Sequence, residues 1–327
     1  PPPDNTLPDP WLRKSFNLDR VPTRALIAVA SVGYHELYVN GQRVGDGVLA
    51  PAATDHTKRA RYLTYDIASM LRPGDNVIGL WLGTSWSIFP SYRTPDKPAT
   101  PLVIAQADLT FADGSTRRLV TDASWKWQAS PNTLLGVWDF THFGGESYDA
   151  RKELPGWACP GLDETNWKPV TVYHPKLTLS AQQVEPNRLV QALKPVAITE
   201  PQPGVWRIDF GRTFAGWIEL QLTGQPGDRI RFQWSERENE PMTHRLHSEY
   251  IVGPDGRGTF RNRFNYGVGR WVRIEGLRQR PQPDDVQGWL IRTDFSPAAG
   301  FACSDPPLNA IHAATLWTFE NLSLGGY

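Results

Sequence analysis

Tyr34-His35-Glu36-Leu37-Tyr38-Val39-Asn40-Gly41-Gln42-Arg43-Val44 alternates up to Val39, turns on Asn40-Gly41 and returns as a second strand. A two-residue turn of this kind needs positive φ at both central positions, and Asn-Gly adopts it at low steric cost. The stretch therefore predicts a β-hairpin. Reading outward, an apolar run from Ala25 to Val32 precedes it. Tyr62–Ile67, Asn76–Leu82, Leu102–Phe111 and Arg117–Val120 follow as further strands. The turn sequences Arg72-Pro73-Gly74-Asp75 and Ala112-Asp113-Gly114-Ser115 separate them. Short strands at this spacing indicate an antiparallel sandwich rather than a parallel sheet.

The composition agrees with an all-β chain: 29 prolines, 28 glycines and 14 tryptophans stand against two methionines in 327 residues. A Pro-rich passage from His174 to Pro203 shows little periodicity and reads as a connection. Beyond it Val205–Asp209, Gly216–Leu222, Arg229–Trp234, Thr259–Phe264 and Gly269–Glu275 read as strands of a second unit, with a long charged loop between Ser235 and Gly258. The expected division is a first sandwich over 1–180, a second over 181–300 and a helical segment over 301–327. Ser304-Asp305-Pro306-Pro307 is a helix start, with a polar cap and prolines in the first turn. Leu308, Ile311, Thr315, Leu316, Phe319 and Leu322 then fall on one stripe, while Ala310 and Trp317 lie opposite. A helix of that kind wants cover on two faces, and is expected to be the first of an α-helical domain that continues past Tyr327.

Lys plus Arg and Asp plus Glu are equal at 34 each, so no global field favours nucleic acid or a membrane surface, and neither is an expected partner. No apolar run approaches the length of a membrane span. The start, Pro1-Pro2-Pro3-Asp4, is not a signal peptide, which leaves secreted, periplasmic and cytoplasmic locations open. Cys159 and Cys303 lie far apart and carry no metal-ligand spacing.

The residues Glu36 to Asp46, Tyr65-Asp66-Ile67, Arg72-Pro73-Gly74-Asp75-Asn76 and Leu82-Gly83-Thr84-Ser85-Trp86 resemble the N-terminal sandwich of bacterial α-L-rhamnosidases. Gly145-Glu146-Ser147-Tyr148-Asp149-Ala150-Arg151, Pro155-Gly156-Trp157 and Asn166-Trp167 resemble the end of that domain. Asp209-Phe210-Gly211, Ala215-Gly216-Trp217, Pro226-Gly227-Asp228, Glu236 and Gly269 to Leu277 resemble the family's concanavalin-like module. Phe301 to Asp305, Leu308-Asn309 and Trp317 to Asn321 resemble the opening of its catalytic barrel. The resemblance implies a jelly-roll-like, galactose-binding-like first sandwich, a concanavalin-like second one and the first helix of a truncated (α/α)6 barrel. The implied activity is inverting hydrolysis of terminal α-L-rhamnose from glycosides or polysaccharides. The implied partners are such a rhamnose-containing glycoside and the barrel of the same parent chain.

An inverting hydrolase needs two carboxyl groups about 6.5–9.5 Å apart. The family's general acid and base lie beyond the matching stretch, so no catalytic residue is assigned and the 327 residues alone are expected to be inactive. For sugar contact, which needs an aromatic face and hydrogen-bonding groups, the expected exposed aromatics are Trp86, Phe89 and Tyr92. Trp125, Trp157, Trp167 and Trp217 are expected in cores. Glu146, Asp149 and Arg151 are further candidates, with an Arg-centred ion-pair network at the sandwich edge as their structural role. A related rhamnose-binding module uses calcium near this motif, but Phe140-Thr141-His142-Phe143 departs from its ligand pattern, so no metal or other cofactor is assigned. His244, His247 and Glu249 have metal-like spacing only if helical. No nucleotide-binding loop or nucleophilic triad can be assembled. Two other readings fit the same residues. One is a stand-alone lectin-like module whose sugar binding depends on Trp86. The other is a purely structural sandwich pair, which requires the terminal helix to leave no apolar patch open.

Overall fold

The computed structural model describes residues 7–89, 101–139, 142–239 and 245–325. The hairpin is formed as the sequence dictates: β3 (Tyr34–Val39) and β4 (Gln42–Arg43) pair with Val39 opposite Gln42, and Asn40 and Gly41 take φ of 50° and 84°. It sits at the edge of a layer with β1 (Leu7–Leu18), β6 (Gly74–Gly83), β9 (Lys126–Leu135) and β10 (Gly145–Asp149), in the order β10-β9-β1-β6-β3-β4. The facing layer contains β2 (Arg24–Val32), β5 (Arg59–Asp66), β7 (Leu102–Thr110), β8 (Thr116–Val120) and β12 (Thr178–Ala181), in the order β12-β5-β2-β7-β8. Ile27, Val29, Leu37, Ile78, Leu80, Ala107 and Leu109 fill the space between them. A short β11 (Lys168–Pro169) pairs with β9.

The second unit is built around one bent strand, β15 (Val205–Thr223), where the sequence suggested two strands. Its first half pairs with β14 (Ala197–Gln202) and β19 (Gly267–Glu275); β16 (Arg229–Ser235) and β17 (His247–Ile251) continue that layer. Its second half pairs with β18 (Arg257–Arg261) and β20 (Val286–Thr293), and β13 (Asn187–Leu193) completes this other layer. The register slips between Asp209 and Phe214, and this irregularity lets one strand serve both layers. Ile208, Phe214, Ile218, Phe232, Val272 and Ile274 form the core.

Two sequence expectations are corrected here. The passage 174–203 is not a bare connection, because it contains β12, β13 and β14. β12 joins the first sandwich and β13 the second, so the chain changes unit between Ala181 and Asn187. Nor is 235–258 only a loop: β17 lies within it, pairing with β16 on one side and in parallel with β10 on the other. That parallel pair makes one continuous sheet run through both sandwiches.

A third apolar cluster lies between the sandwiches. Trp11, Trp81, Trp86, Trp157, Trp167 and Trp217 all belong to it, with Phe264 and Ile291. β6 shows why: Ile78, Leu80 and Leu82 point into the first sandwich, so Trp81 emerges on its other face and meets the second unit. Trp11 stacks on Trp157 with centroids 5.0 Å apart and meets Trp81 edge-on at 5.3 Å. Gly83 leaves room for Phe264, since a Cβ there would lie 2.2 Å from the ring. A buried indole removes roughly 150–250 Å² from water, worth about 4–6 kcal/mol at the usual coefficient. Six of them make this a core in its own right.

The last element is α1 (Pro306–Leu322), capped by the Asp305 carboxylate accepting from the Leu308 amide.

Candidate functional site

β10 carries Glu146 into the junction between the sandwiches, where the side chain is fully enclosed. Its Oε1 accepts from the Arg263 amide at 2.6 Å, and Oε2 accepts from the Phe264 amide at 3.0 Å and Asn132 Nδ2 at 3.1 Å. Asn132 Nδ2 also donates to Asp9 Oδ2 at 2.9 Å, and the Thr84 amide donates to Asp9 Oδ1 at 2.7 Å. Burial pushes both carboxyls up, Asp9 to about 7, against the opposing pull of these donors. The oxygens of both acids are turned toward N–H donors rather than toward a cation. Among the described residues no group of three or more His, Cys, Asp or Glu side chains could hold a metal ion.

A second polar link crosses the same junction. Arg263 pairs with Glu36, which also meets Arg43 at 3.2 Å and accepts from the Tyr38 hydroxyl at 2.8 Å. The Arg263 guanidinium lies 3.9 Å from the centroid of Trp81. Burial would raise the Glu36 carboxyl, but Arg263, Arg43 and Tyr38 together hold it below its ordinary value. Neither Arg263 nor Asn132 is marked by any local pattern. Glu36 and Glu146 lie more than 100 residues from Arg263 and Asp9 lies 123 from Asn132, and neither residue sits in a recognisable motif.

The expected ion-pair network at Glu146, Asp149 and Arg151 is formed only in part. Arg151 grips Asp149 with two bonds, Nε to Oδ1 at 2.8 Å and Nη2 to Oδ2 at 2.9 Å, and holds that carboxyl down. Glu146 takes backbone amides instead, because alternation along β10 turns 146 toward the junction while Asp149 reaches the strand end. Arg151 is exposed.

Trp86 corrects a second expectation, since it is 7% exposed rather than open to solvent. It lies in a short helical turn after β6, stacked on His56 at 4.7 Å and edge-on to Tyr34 at 6.3 Å. The abrupt turn at Thr84-Ser85 folds the indole back over the sheet instead of outward, with φ of 37° at Ser85. Phe89 is half-buried against Phe143, their rings 6.4 Å apart. Tyr92 lies outside the described residues. Trp125, Trp157, Trp167 and Trp217 are buried as expected. His247 lies in a strand with Nδ1 2.7 Å from the Arg245 carbonyl, and Glu249 pairs with Arg229; His244 is outside the described residues. Cys159 and Cys303 are both free thiols.

The helix α1 divides its faces sharply. Trp317 packs against the second sandwich's core, donates Nε1 to the Thr213 carbonyl at 2.7 Å and is covered by the Arg212 guanidinium at 3.4 Å. Asn321 accepts from the Ala215 amide at 2.6 Å, and Arg292 pairs with Glu320 at 3.4 Å. Beyond the helix, the Ser323 carbonyl accepts from Thr293 and the Gly325 amide donates to Asn187, while Leu324 reaches the tryptophan cluster between the sandwiches. On the other side Leu308, Ile311, Leu316, Phe319 and Leu322 are open to solvent, Ile311 at 62% and Leu322 at 68%. So Trp317 docks, while the long stripe stays largely open, with Phe319 meeting Phe295 at a ring-centroid distance of 5.2 Å.

Two family profiles match in order. Residues 20–191 match the α-L-rhamnosidase N-terminal domain, and residues 199–292 match the bacterial α-L-rhamnosidase concanavalin-like domain. The chain belongs to the α-L-rhamnosidase family. A curated α-L-rhamnosidase of Streptomyces avermitilis is 30% identical over 94% of this chain and 30% of its own length. One from Formosa agariphila is 29% identical over 94% of this chain and 34% of its own. Among solved structures, the α-L-rhamnosidase of Dictyoglumus thermophilum superposes with a TM-score of 0.89 at 31% identity, covering 98% of this chain and 36% of that one. The Streptomyces avermitilis α-L-rhamnosidase complexed with L-rhamnose gives 0.87 at 28%, covering 98% and 32%. This rhamnosidase-family chain thus spans about a third of the length of the relatives it matches.

Proposed function

We propose that this chain is the two-sandwich accessory part of an inverting α-L-rhamnosidase, acting with a catalytic barrel to release terminal α-L-rhamnose from a glycoside or polysaccharide. In this reading the first sandwich comprises residues 1–180, the second 181–300, and 301–327 begin the barrel. The observation that carries it is the helix α1, fixed to the second sandwich through Trp317 and Asn321 while a full apolar stripe faces solvent. Exposed stripes of this length are covered in folded proteins, and a neighbouring barrel helix is the element of matching shape. A purely structural pair is disfavoured because the patch is open. The sandwiches would set the position of the barrel's first helix and contribute no proton-transfer group.

The test is direct. The purified chain should not cleave an aryl α-L-rhamnoside, whereas the same chain joined to the catalytic region of the Dictyoglumus thermophilum relative should. Turnover that stays with the isolated chain through repurification would overturn the accessory assignment.

A further inference from the structure

Along β19 the side chains of Val272 and Ile274 enter the core, which places Trp271 and Arg273 on the outward face of that layer. Ser235 lies opposite Trp271 and Gln233 opposite Arg273, on the neighbouring β16. The β14–β15 hairpin at Gln202 borders this patch, and the segment after β16 returns over the sheet at Glu238–Asn239. Together they enclose a groove of about 380 Å³. Arg207 fastens the returning segment, with Nη2 2.7 Å from Glu238 Oε1 and Nη1 3.1 Å from Asn239 Oδ1.

We infer that this groove is a binding site for a neutral saccharide. The indole of Trp271 supplies an apolar surface for the C–H side of a pyranose ring, and it is pre-set. The Arg270 guanidinium sits 4.4 Å from its centroid and is itself held by two bonds to Asp209, of 2.7 and 2.8 Å. Gln233, Ser235 and the Asn239 amide nitrogen supply the donors and acceptors that sugar hydroxyls require. Charge decides the ligand class. Among the described residues, each arginine at the groove is matched by a carboxylate: Arg207 by Glu238, Arg270 by Asp209 and Arg273 by Glu275. Among the described residues no cation is left over there for a uronate or sulfate, which favours a neutral sugar over an acidic one. The site is distinct from Trp86, whose indole is buried between the sandwiches.

The experiment uses the whole chain on an array of neutral and acidic glycans, followed by calorimetric titration with L-rhamnose, D-galactose, cellobiose and any neutral array hit, with D-glucuronic acid as the charged comparison. Saturable binding of at least one neutral glycan is expected. Its affinity should fall about tenfold or more in Trp271→Ala and measurably in Gln233→Ala, with both variants retaining the parent's circular dichroism. Gln233→Ala, a milder change than loss of an indole, guards against a folding artefact. Absence of any neutral ligand overturns the inference, as does binding unchanged by both substitutions or confined to acidic glycans and released by salt. Binding is read on the isolated chain and rhamnoside turnover on the joined protein, so either reading can fail without the other.

Discussion

Replacing Glu146 by Ala should uncouple the two sandwiches. The carboxylate is the shared acceptor for the Arg263 and Phe264 amides and for Asn132 Nδ2. Asn132 keeps its bond to Asp9, so the two backbone donors are the groups left stranded. Each buried donor without a partner costs about 1–3 kcal/mol, giving roughly 2–6 kcal/mol in all. Removing the buried carboxylate returns part of this, because burial already disfavours its charged form. The expected net loss is about 2–4 kcal/mol. Glu146→Gln separates hydrogen bonding from volume: its amide offers only one acceptor oxygen and turns an N–H toward donors. It should therefore lose at least half as much as the alanine variant. Urea unfolding followed by tryptophan emission reads the junction, since Trp11, Trp81, Trp157 and Trp217 lie there. The parent should unfold in one transition and the variant earlier, in a broadened or split one. A midpoint stability within about 0.5 kcal/mol of the parent in Glu146→Ala, or a Glu146→Gln variant as stable as the parent, would refute the reasoning.

Three further outcomes follow from the same contacts. Trp317→Ala removes the indole bond to Thr213, the Arg212 stack and contact with the second core, so amide exchange across 306–322 should accelerate by a factor corresponding to about 2–3 kcal/mol while strand amides change little. Asp9→Asn should alter the pH dependence: because the folded carboxyl is raised from 3.8 to about 7, the folded state holds the proton more tightly and the parent loses stability as pH rises from about 4 to about 7. That contribution is at most about 4 kcal/mol, fully present as a penalty above pH 7 and absent below pH 4. The difference between parent and variant midpoints in urea should therefore vary across this window, and a constant difference would contradict it. Gly145→Ala places a Cβ 1.6 Å from the His247 carbonyl oxygen and should destabilise by several kcal/mol by parting β10 from β17, visible as earlier thermal unfolding.

Legibility in the sequence tracked the range of the interaction. The Asn40-Gly41 hairpin and the strand cores at 76–82 and 102–110 were readable because alternation and turn chemistry are local. β12, β13 and β14 were not, since they are edge or near-edge strands in a proline-rich passage whose burial alternates poorly. β17 was hidden among charges, because its partners, β16 and the distant β10, supply the pattern that its own sequence lacks. For the candidate site, the Asp149–Arg151 pair was readable from two residues of separation. The acceptor role of Glu146, the concealment of Trp86 and the groove at Trp271 were not.

By itself the sequence determined that the chain is all-β with two sandwiches and one capped, two-faced helix, because period-2 and period-3.6 patterning and Gly, Pro and Asn turns act over a few residues. Only the tertiary structure decided which aromatic surfaces are interior and which helix face is free. Trp81 lies within a predicted strand and Trp86 just past its end, yet both are buried where the second unit closes over the first. The patterning of α1 called for cover on two faces without saying which one meets the sandwich; the indole opposite the stripe reaches a carbonyl at Thr213 and sets the orientation. Burial is a property of what packs against a residue, and here the packing partner is often more than 100 residues away.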